Sequence, residues 1–395
     1  MEFPFSQEFR LVAACAMWPN SERRTETIRV AASKQIDWSR AVALATRHQI
    51  TGLFHHGLSQ APSYVPLEVT KRVGVLAATE VRENLAIARE TVRLQGIFDD
   101  AGVPAIFLKG TTLAVLAFKN IGLRSGQDID LLVSNENVPM AVEIVRRAGY
   151  CRFSPPSTVT DRQFALLMKF RKDLGFLHHE NGKHLELHWR LFVNPHAMAQ
   201  TELLARSRLV PVADKSALRT LGEEDLFAYL CMHGALHWWC RLKWLADINA
   251  LTGVIETGKL ERLYEGAKTR GVGRAAALAF LLCRTVFGTP VPEELVQILP
   301  KYFGIRWLEL TALDAMGGAA TPHNRRFGTF RGSLSALFLG SGREYQLAEL
   351  KALLVNEQDV LGLPLPKWLW FLYPILRLPL WAWRHFRAAP SAASL

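Results

Sequence analysis

The sequence has 395 residues, of which 49% are hydrophobic and 21% charged, and its 47 basic residues outnumber 36 acidic ones to give a formal net charge of +11. This composition excludes a wholly disordered chain, a collagen-like or low-complexity protein and a disulfide scaffold, and the length allows two domains or one elaborated domain. The positive charge favours anionic partners such as nucleotides, nucleic acid or lipid headgroups, without choosing among them.

Cysteine usage and the N-terminal segment predict a cytoplasmic protein. The five cysteines are odd in number, scattered and without a Cys-x-x-Cys pair, which is typical of free thiols in a reducing compartment. The first residues include Glu2 and Glu8 and lack a basic stretch followed by an apolar run, so we expect no signal peptide. No stretch of 18 residues is free of charge, so we expect no standard membrane span.

Residues 1–95 predict an N-terminal helical region. Apolar side chains recur there at helix spacing, for example at Trp38, Val42 and Ala45. The last of these helices is expected to end at Gly102, because glycine is the preferred residue just past a helix C-terminus.

Residues 96–200 differ in pattern and predict a small α/β module. Short apolar runs between turn residues predict four strands, and amphipathic stretches among them predict two helices. Asn181-Gly182, between the last two strands, is a strong signal for a β-hairpin. The expected strands cover residues 104–108, 128–133, 173–178 and 184–191, and the expected helices cover residues 112–118 and 138–148.

Residues 201–330 return to a helical pattern and predict a C-terminal helical domain, with helices over 223–250, 259–270 and 274–287. Residues 331–395 predict a less regular tail, within which residues 367–387 are rich in Trp and Leu and carry only positive charge. The predicted fold class is therefore α+β, a small α/β module flanked by N- and C-terminal helical regions.

The strongest chemical signal is the pair Asp128 and Asp130 in the second predicted strand. Because side chains alternate along a strand, both carboxylates lie on one face while Ile129 and Leu131 lie on the other. Adjacent carboxylates repel each other and are tolerated where a cation lies between them, and oxygen ligands suit Mg²⁺ or Mn²⁺. An isolated pair of this kind also occurs at solvated strand ends, so the surrounding motifs decide between the two interpretations.

Upstream residues supply groups that suit phosphate. Lys109, Gly110 and Thr111 lie at the junction between the first strand and the following helix. There glycine permits close approach, while the hydroxyl, the helix-start N–H groups and the lysine can hold an anion. Arg124 lies four residues before Asp128 and is a second candidate for phosphate binding.

A third acid is predicted on the fourth strand. Glu186 shares a strand face with His184 and His188, while Leu185 and Leu187 point the other way. A third carboxylate from an adjacent strand would complete a two-metal site with the aspartate pair. His188 is either a general base or a donor that orients the carboxylate.

Six short segments carry a family resemblance when they are taken in order. They are Leu108-Lys109-Gly110, Arg124, Asp128-Ile129-Asp130-Leu131-Leu132-Val133, Gly149-Tyr150, Glu186-Leu187-His188-Trp189 and the histidine-rich residues 233–237. This order resembles the DNA polymerase beta-like nucleotidyltransferase superfamily. More closely, over about residues 30–250, it resembles a bacterial group called the uncharacterised nucleotidyltransferase family. Thr111 stands where the superfamily usually has Ser, and the hydroxyl is retained.

The resemblance implies a polymerase-beta-like module that transfers a nucleoside monophosphate from an NTP to a hydroxyl acceptor. The acceptor is expected to be a small molecule, a sugar or envelope intermediate, or a protein. The family pattern implies that Asp128, Asp130 and Glu186 are catalytic and hold Mg²⁺ or Mn²⁺. The residues expected to bind the nucleotide and its phosphates are Lys109, Gly110, Thr111 and Arg124.

Two other functions stay open at this point. One is a nucleotide-binding regulator that has lost catalysis, although the presence of all three acids weighs against it. The other is a toxin-type nucleotidyltransferase that modifies tRNA or protein. Nucleic-acid binding ranks lower, because no dense stripe of Lys and Arg with interleaved aromatic residues flanks the module.

Three weaker signals lie downstream. His233 and His237 are one helical turn apart, but a zinc protease helix needs Glu where Gly234 stands, so we expect them to line the acceptor site or to pack against Trp238 and Trp239. Asp247 either orients a histidine or belongs to a polar helix face. Residues 367–387 either contact the inner face of the membrane or pack on the helical domain or a partner.

Overall fold

The computed structural model describes residues 4–156, 158–214, 216–253, 259–318, 328–340, 342–354 and 357–387. It contains a seven-stranded mixed β-sheet with helices before and after it, so the α+β class with helical flanks is confirmed. Parts of the predicted C-terminal domain and tail, at residues 254–258, 319–327 and 388–395, lie outside the described residues. The predicted domain boundaries at 95, 200 and 330 stay predictions.

Five helices precede the sheet, in the region where the hydrophobic period predicts them. Ser6, Ser21 and Asp37 cap the first three, because each side chain accepts a hydrogen bond from a backbone N–H that the helix leaves unpaired. The fifth is 34 residues long and ends just before Gly102, whose φ of +65° favours glycine. The helices are α1 (Gln7–Ala16), α2 (Glu22–Ala32), α3 (Trp38–Arg47), α4 (Thr51–Leu58) and α5 (Leu67–Asp100).

The sheet includes all four predicted strands. Its members are β1 (Ile106–Phe107), β2 (Asp128–Leu132), β3 (Tyr150–Ser154), β4 (Asp173–His178), β5 (His184–His188), β6 (Arg208–Ala213) and β7 (Ser216–Thr220). Their order across the sheet is β3-β4-β5-β2-β1-β7-β6. β2 and β5 are parallel neighbours, and the predicted hairpin joins β4 and β5 with Gly182 at φ +65°.

Three strands of the sheet, β3, β6 and β7, were not predicted from the sequence. The expected return to helix after residue 201 is wrong for β6 and β7. β6 contains Pro211, which argues against an interior strand, but β6 is the edge of the sheet and tolerates a missing N–H. Thr220 of β7 donates a hydrogen bond of 2.7 Å from its hydroxyl to the carbonyl of Phe107.

The remaining predicted helices are present with one break, but the helices over residues 161–170 and within residues 293–387 were not predicted, and the expectation of a less regular tail is wrong for its described helices. The helix expected over residues 223–250 is two helices, because Trp238 and Trp239 adopt positive φ angles of 54° and 50°. The helices are α6 (Thr111–Leu113, continued by a π-helical turn over Ala114–Phe118), α7 (Val138–Arg147), α8 (Asp161–Phe170), α9 (Glu223–Leu236), α10 (Leu242–Gly253), α11 (Lys259–Thr269), α12 (Gly273–Phe287), α13 (Glu293–Ile298), α14 (Ile305–Gly317), α15 (Gly328–Leu339), α16 (Arg343–Leu354), α17 (Glu357–Gly362) and α18 (Tyr373–Arg387).

Gly234 of α9 is required by the turn that separates α9 from α10. A Cβ at this position would overlap the ring of Trp239, which folds back against the helix and is fully buried. We therefore expect Gly234→Ala to lower the free energy of unfolding by about 1–3 kcal/mol through overpacking.

The matched control for this prediction is Gly96→Ala in α5, where a Cβ would meet no neighbouring atom. Alanine there is expected to raise the free energy of unfolding by about 0.5–1 kcal/mol. Urea denaturation of both variants checks the prediction. Equal effects of the two changes would show that Trp239 does not constrain Gly234.

Two hydrophobic cores cover the two faces of the sheet. One packs α5 and α7 onto the face that carries Ile129, Leu131, Leu185 and Leu187. The second runs from the N-terminal helices through α9, α10 and α12 and includes Leu132 on the opposite face. The alternating pattern of β2 therefore turns its aspartates toward the C-terminal helices.

The described part of the tail ends in a 3₁₀ helix (Lys367–Leu372) followed by α18, and the two share an exposed apolar edge. Trp368, Phe371 and Ile375 are largely exposed, whereas Tyr373 is buried. Arg377 of α18 donates a hydrogen bond of 3.0 Å to the buried Asp359 of α17, which docks the two helices. Among the described helices, none combines the length and the apolar character that a membrane crossing requires.

Candidate active site

Two neighbouring parallel strands position the predicted acids. β2 and β5 pair in a register that places Asp130 opposite Glu186 and Asp128 opposite His184. In a parallel ladder, paired residues project from the same face of the sheet. The three acids predicted from the sequence therefore lie side by side on the face that is turned toward α9 and α10.

Lys109 occupies the space between the two aspartates. Its Nζ lies 2.5 Å from Asp130 Oδ2 and 3.4 Å from Asp128 Oδ2. Burial alone would raise the pKa of Asp130, but Lys109 and His188 hold it well below its usual value. Burial alone would lower the pKa of Lys109, but the two carboxylates raise it above its usual value. The site thus carries a fixed positive charge beside the ionised Asp130.

His188 lies beneath the acids and is fully buried. Its Nε2 is 3.4 Å from Asp130 Oδ1 and 3.2 Å from Glu186 Oε2. Burial and Lys172 act to lower the pKa of His188, and the two carboxylates reverse this and raise it. Ligand atoms of Asp130, Glu186 and His188 all lie within 4.8 Å of one another, a spacing that could hold a metal ion.

A fourth acid, Asp173, was missed by sequence reasoning. It begins β4 and pairs with His188 across the β4–β5 hairpin. Its Oδ2 lies 2.6 Å from the Nζ of Lys172 and 4.0 Å from the Nδ1 of His188. The Asn181-Gly182 turn predicts the hairpin but not this register, because a two-residue turn there would set residue 175 opposite residue 188, whereas the observed loop pairs Leu177 with His184 and so brings Asp173 opposite His188.

The predicted phosphate-binding residues lie in three different surroundings. Lys109 faces the acids, whereas Gly110, at φ +75°, and the buried Thr111 start α6 behind it. Arg124 instead donates hydrogen bonds of 2.8 and 2.9 Å to the two carboxylate oxygens of Asp247, in a pair that is almost completely buried. Asp247 therefore orients an arginine in this structure, rather than a histidine.

A cavity of about 610 Å³ opens above the acids. Its sheet side carries Asp128, Asp130, Asp173 and Glu186, and its helix side carries Tyr229, His233, His237 and Trp244. The cationic side chains that line it are Lys109, Lys172, Arg241 and Lys243. The cavity is therefore large enough for a nucleotide and combines acids, cations and aromatic rings.

The histidine pair of the C-terminal helical region belongs to this cavity. The ring centroids of His233 and His237 lie 4.7 Å apart, and the Trp244 ring lies 5.6 and 5.0 Å from them. Burial and the neighbouring His237 hold the pKa of His233 well below its usual value, so its ring is neutral near pH 7. The pair lines the cavity as expected, but the tryptophan ring that it contacts here is Trp244 rather than the predicted Trp238 or Trp239.

Comparison with protein families identifies the relationship. The family model described as uncharacterised nucleotidyltransferase matches residues 34–288, which include the acids and cations of this site. The chain belongs to the uncharacterised nucleotidyltransferase family. The suspected resemblance is confirmed, and this supports a general nucleotidyltransferase function with an NTP as substrate. A comparison with curated proteins finds no match.

A second cavity of about 620 Å³ lies on the other side of the acids. Gln127, Asp128 and Glu186 line both cavities. The rest of its wall comes from α5, including Glu80 and Glu83, and from the β4–β5 turn. The acids thus stand where two separate molecules can approach them from two directions.

The residues of this candidate site fit a divalent cation. Several carboxylates and one imidazole converge, and such donors suit divalent metal ions. Nε2 of the buried His188 finds no hydrogen-bond partner among the described residues, which leaves a donor atom aimed at the carboxylates. Divalent metal use is therefore consistent with the arrangement.

Proposed function

We propose that this protein transfers a nucleoside monophosphate from an NTP to a hydroxyl acceptor, with Mg²⁺ or Mn²⁺ held by Asp128, Asp130 and Glu186. The observation that carries the proposal is the register of β2 and β5, which sets Asp130 beside Glu186 at the floor of a cavity lined by four cations. The acids can hold a cation while the lysines and arginine neutralise a triphosphate.

The two cavities suggest separate places for the two substrates. The cavity with Trp244, His237 and the cationic side chains suits the nucleotide, because rings can stack on a base and cations can bind phosphates. The cavity beside α5 then receives the acceptor. Asp128 and Glu186, which line both cavities, lie where the acceptor hydroxyl would meet the α-phosphate.

The reaction forms a bond from the acceptor oxygen to the α-phosphorus and breaks the bond to the β-phosphate oxygen, so pyrophosphate leaves. The hydroxyl proton passes to a carboxylate of Asp128 or Glu186. A bound divalent cation would neutralise phosphate charge and lower the pKa of the attacking hydroxyl. Lys109 would then exchange its aspartate contacts for contacts with phosphate oxygens.

Lys243 gives this proposal a pH dependence. Burial, assisted by Arg124 and Lys109, lowers the pKa of Lys243 to about 7, although Asp247 and Asp128 oppose the shift. The charged form binds phosphate, so we expect nucleotide affinity to be full below pH 7 and to fall by up to about tenfold per pH unit above it. Calorimetric binding of a non-hydrolysable NTP analogue from pH 6 to 9 measures this slope.

The matched variant is Lys243→Arg, which keeps its charge throughout this range. We expect its affinity to vary less with pH than that of the wild type. Identical slopes for the two proteins would assign the pH dependence to the nucleotide or to another group.

The decisive experiment incubates the purified protein with each α-³²P-labelled NTP and Mg²⁺ or Mn²⁺, with and without a cell extract. Label that moves to a protein, lipid or small-molecule fraction, and does not move with Asp128→Asn, would support the proposal and reveal the acceptor class. Nucleotide binding without transfer would favour the regulator, and transfer to tRNA would favour the toxin-type enzyme.

We also propose that the exposed apolar edge of residues 367–387 rests on a membrane surface. Trp368, Phe371 and Ile375 lie at helical spacing and are exposed, as in helices that lie at a lipid interface. Sedimentation with anionic vesicles, compared between the wild type and a Trp368→Ser/Phe371→Ser variant, tests this. Equal sedimentation of both proteins would contradict it.

A further inference from the structure

The histidine beneath the acids is the most unusual member of the site. His188 is fully buried, and none of the described residues offers its Nε2 a hydrogen-bond partner in suitable geometry. Buried polar atoms are almost always satisfied in folded proteins, so an atom of this kind calls for a ligand or an ion. Nε2 points at Asp130 and Glu186, so a partner for this atom would lie where those two acids would hold a metal ion.

The spacing around Nε2 suits direct coordination. Neighbouring ligands of an octahedral ion with bonds of about 2.1 Å lie roughly 3.0 Å apart. The Nε2 atom is 3.2 Å from Glu186 Oε2 and 3.4 Å from Asp130 Oδ1. Both distances exceed the octahedral spacing by only a few tenths of an ångström, and the ligand atoms of the three side chains all lie within 4.8 Å of one another.

The other ring nitrogen of His188, Nδ1, lies near a carboxylate and an ammonium group. A metal-binding histidine usually donates its second N–H to a carboxylate, which fixes the ring and its tautomer. Nδ1 of His188 lies 4.0 Å from Asp173 Oδ2 and 3.5 Å from Lys172 Nζ. Lys172 is the hydrogen-bond partner of Nδ1 in this structure, and Asp173 is the nearby carboxylate that could accept an N–H from Nδ1 after closing by about 1 Å.

We propose that His188 binds the divalent cation directly through Nε2, together with Asp130 and Glu186, and that the site therefore favours Mn²⁺ over Mg²⁺. Imidazole suits first-row transition ions, whereas Mg²⁺ prefers oxygen donors alone. The inference rests on the proposed function, since it concerns the cation of that reaction. Asp173 is a positioning residue that holds the ring through Nδ1.

The test is electron spin-echo spectroscopy of Mn²⁺ bound to the wild-type protein. We expect modulation from a directly bound ¹⁴N nucleus, which changes to the ¹⁵N pattern when the protein is made with ¹⁵N-histidine. In competition measured by the free-Mn²⁺ signal, Mg²⁺ should displace Mn²⁺ only at an excess of about tenfold or more. Absence of nitrogen coupling, or displacement by equal Mg²⁺, would overturn the inference.

Variants add a second readout. His188→Gln is expected to lose the coupling and to weaken Mn²⁺ binding by about tenfold or more, and Asp173→Asn to weaken it while the coupling remains. His184→Gln is the matched control, because this histidine is exposed on the same strand face and should change neither property. Thermal melts check that each variant is folded.

The two proposals fail in different ways. Transfer of labelled nucleotide without nitrogen coupling would remove His188 from the ligand set and leave the proposed function intact. Nitrogen coupling without transfer would establish the ligand set and remove the proposed function.

Discussion

Asp128→Asn is expected to slow nucleotidyl transfer by about a thousandfold while the melting temperature stays within about 2 °C of the wild type. The activity falls because one cation ligand is lost, which is worth roughly 4 kcal/mol of barrier at about 1.4 kcal/mol per tenfold change in rate. The stability changes little because the side chain is 36% exposed and its contact with Lys109 is long, at 3.4 Å. Single-turnover rates and thermal melts measure the two effects.

Asp130→Asn is the less informative change at the same site. Asp130 is buried against Lys109, and removing one member of a buried ion pair destabilises a protein by about 3–5 kcal/mol. A loss of activity there would mix catalysis with folding. The control for Asp128→Asn is Asp214→Asn, an exposed acid in the turn between β6 and β7. A transfer rate of Asp128→Asn close to that of this control would show that the acids do not form the catalytic site.

The second large effect is expected at the pair formed by Arg124 and Asp247. Their side chains are only 4% and 1% exposed and share two hydrogen bonds. Arg124→Met should lower the free energy of unfolding by about 3–5 kcal/mol, because it leaves a buried carboxylate without its partner. The double variant Arg124→Met/Asp247→Leu should recover most of this loss, since it removes both charges. Urea denaturation of the wild type, the single variant and the double variant measures the loss and the recovery of the free energy of unfolding.

The double variant also separates two roles for Arg124. The sequence predicts a phosphate ligand, whereas the structure pairs the guanidinium with Asp247. If the recovered double variant binds an NTP analogue as tightly as the wild type, Arg124 acts in folding. A loss of tenfold or more in affinity, at recovered stability, would support phosphate binding. Failure of the double variant to regain stability would contradict the ion-pair argument itself.

Some parts of the fold and the site followed from local rules. The alternation of β2 predicts a shared face for Asp128 and Asp130, and the same rule places Glu186 and His188 together on β5. The Asn181-Gly182 turn predicts the β4–β5 hairpin, and the glycine at residue 102 predicts the end of α5. These features depend on neighbours that lie within a few positions along the chain, so periodicity and turn chemistry are sufficient.

Other parts were decided by contacts between distant segments. Pro211 obscures β6, because nothing local reveals that this strand lies at an edge of the sheet. The break between α9 and α10 depends on Trp239 folding back over Gly234, and a continuous apolar pattern gives no sign of it. Helix propensity is a weak preference that tertiary packing readily overrides.

By itself, the sequence predicted the family, the class of fold and the strand positions of the three acids, because motif order and strand alternation depend on residues that lie close together in the chain. Only the tertiary structure decided which charges meet. It placed Lys109 between the aspartates, turned Arg124 to Asp247 and set Asp173 behind His188. The physical reason is that a charge buried during folding must take whichever partner lies nearest in space, and that partner can lie anywhere along the chain.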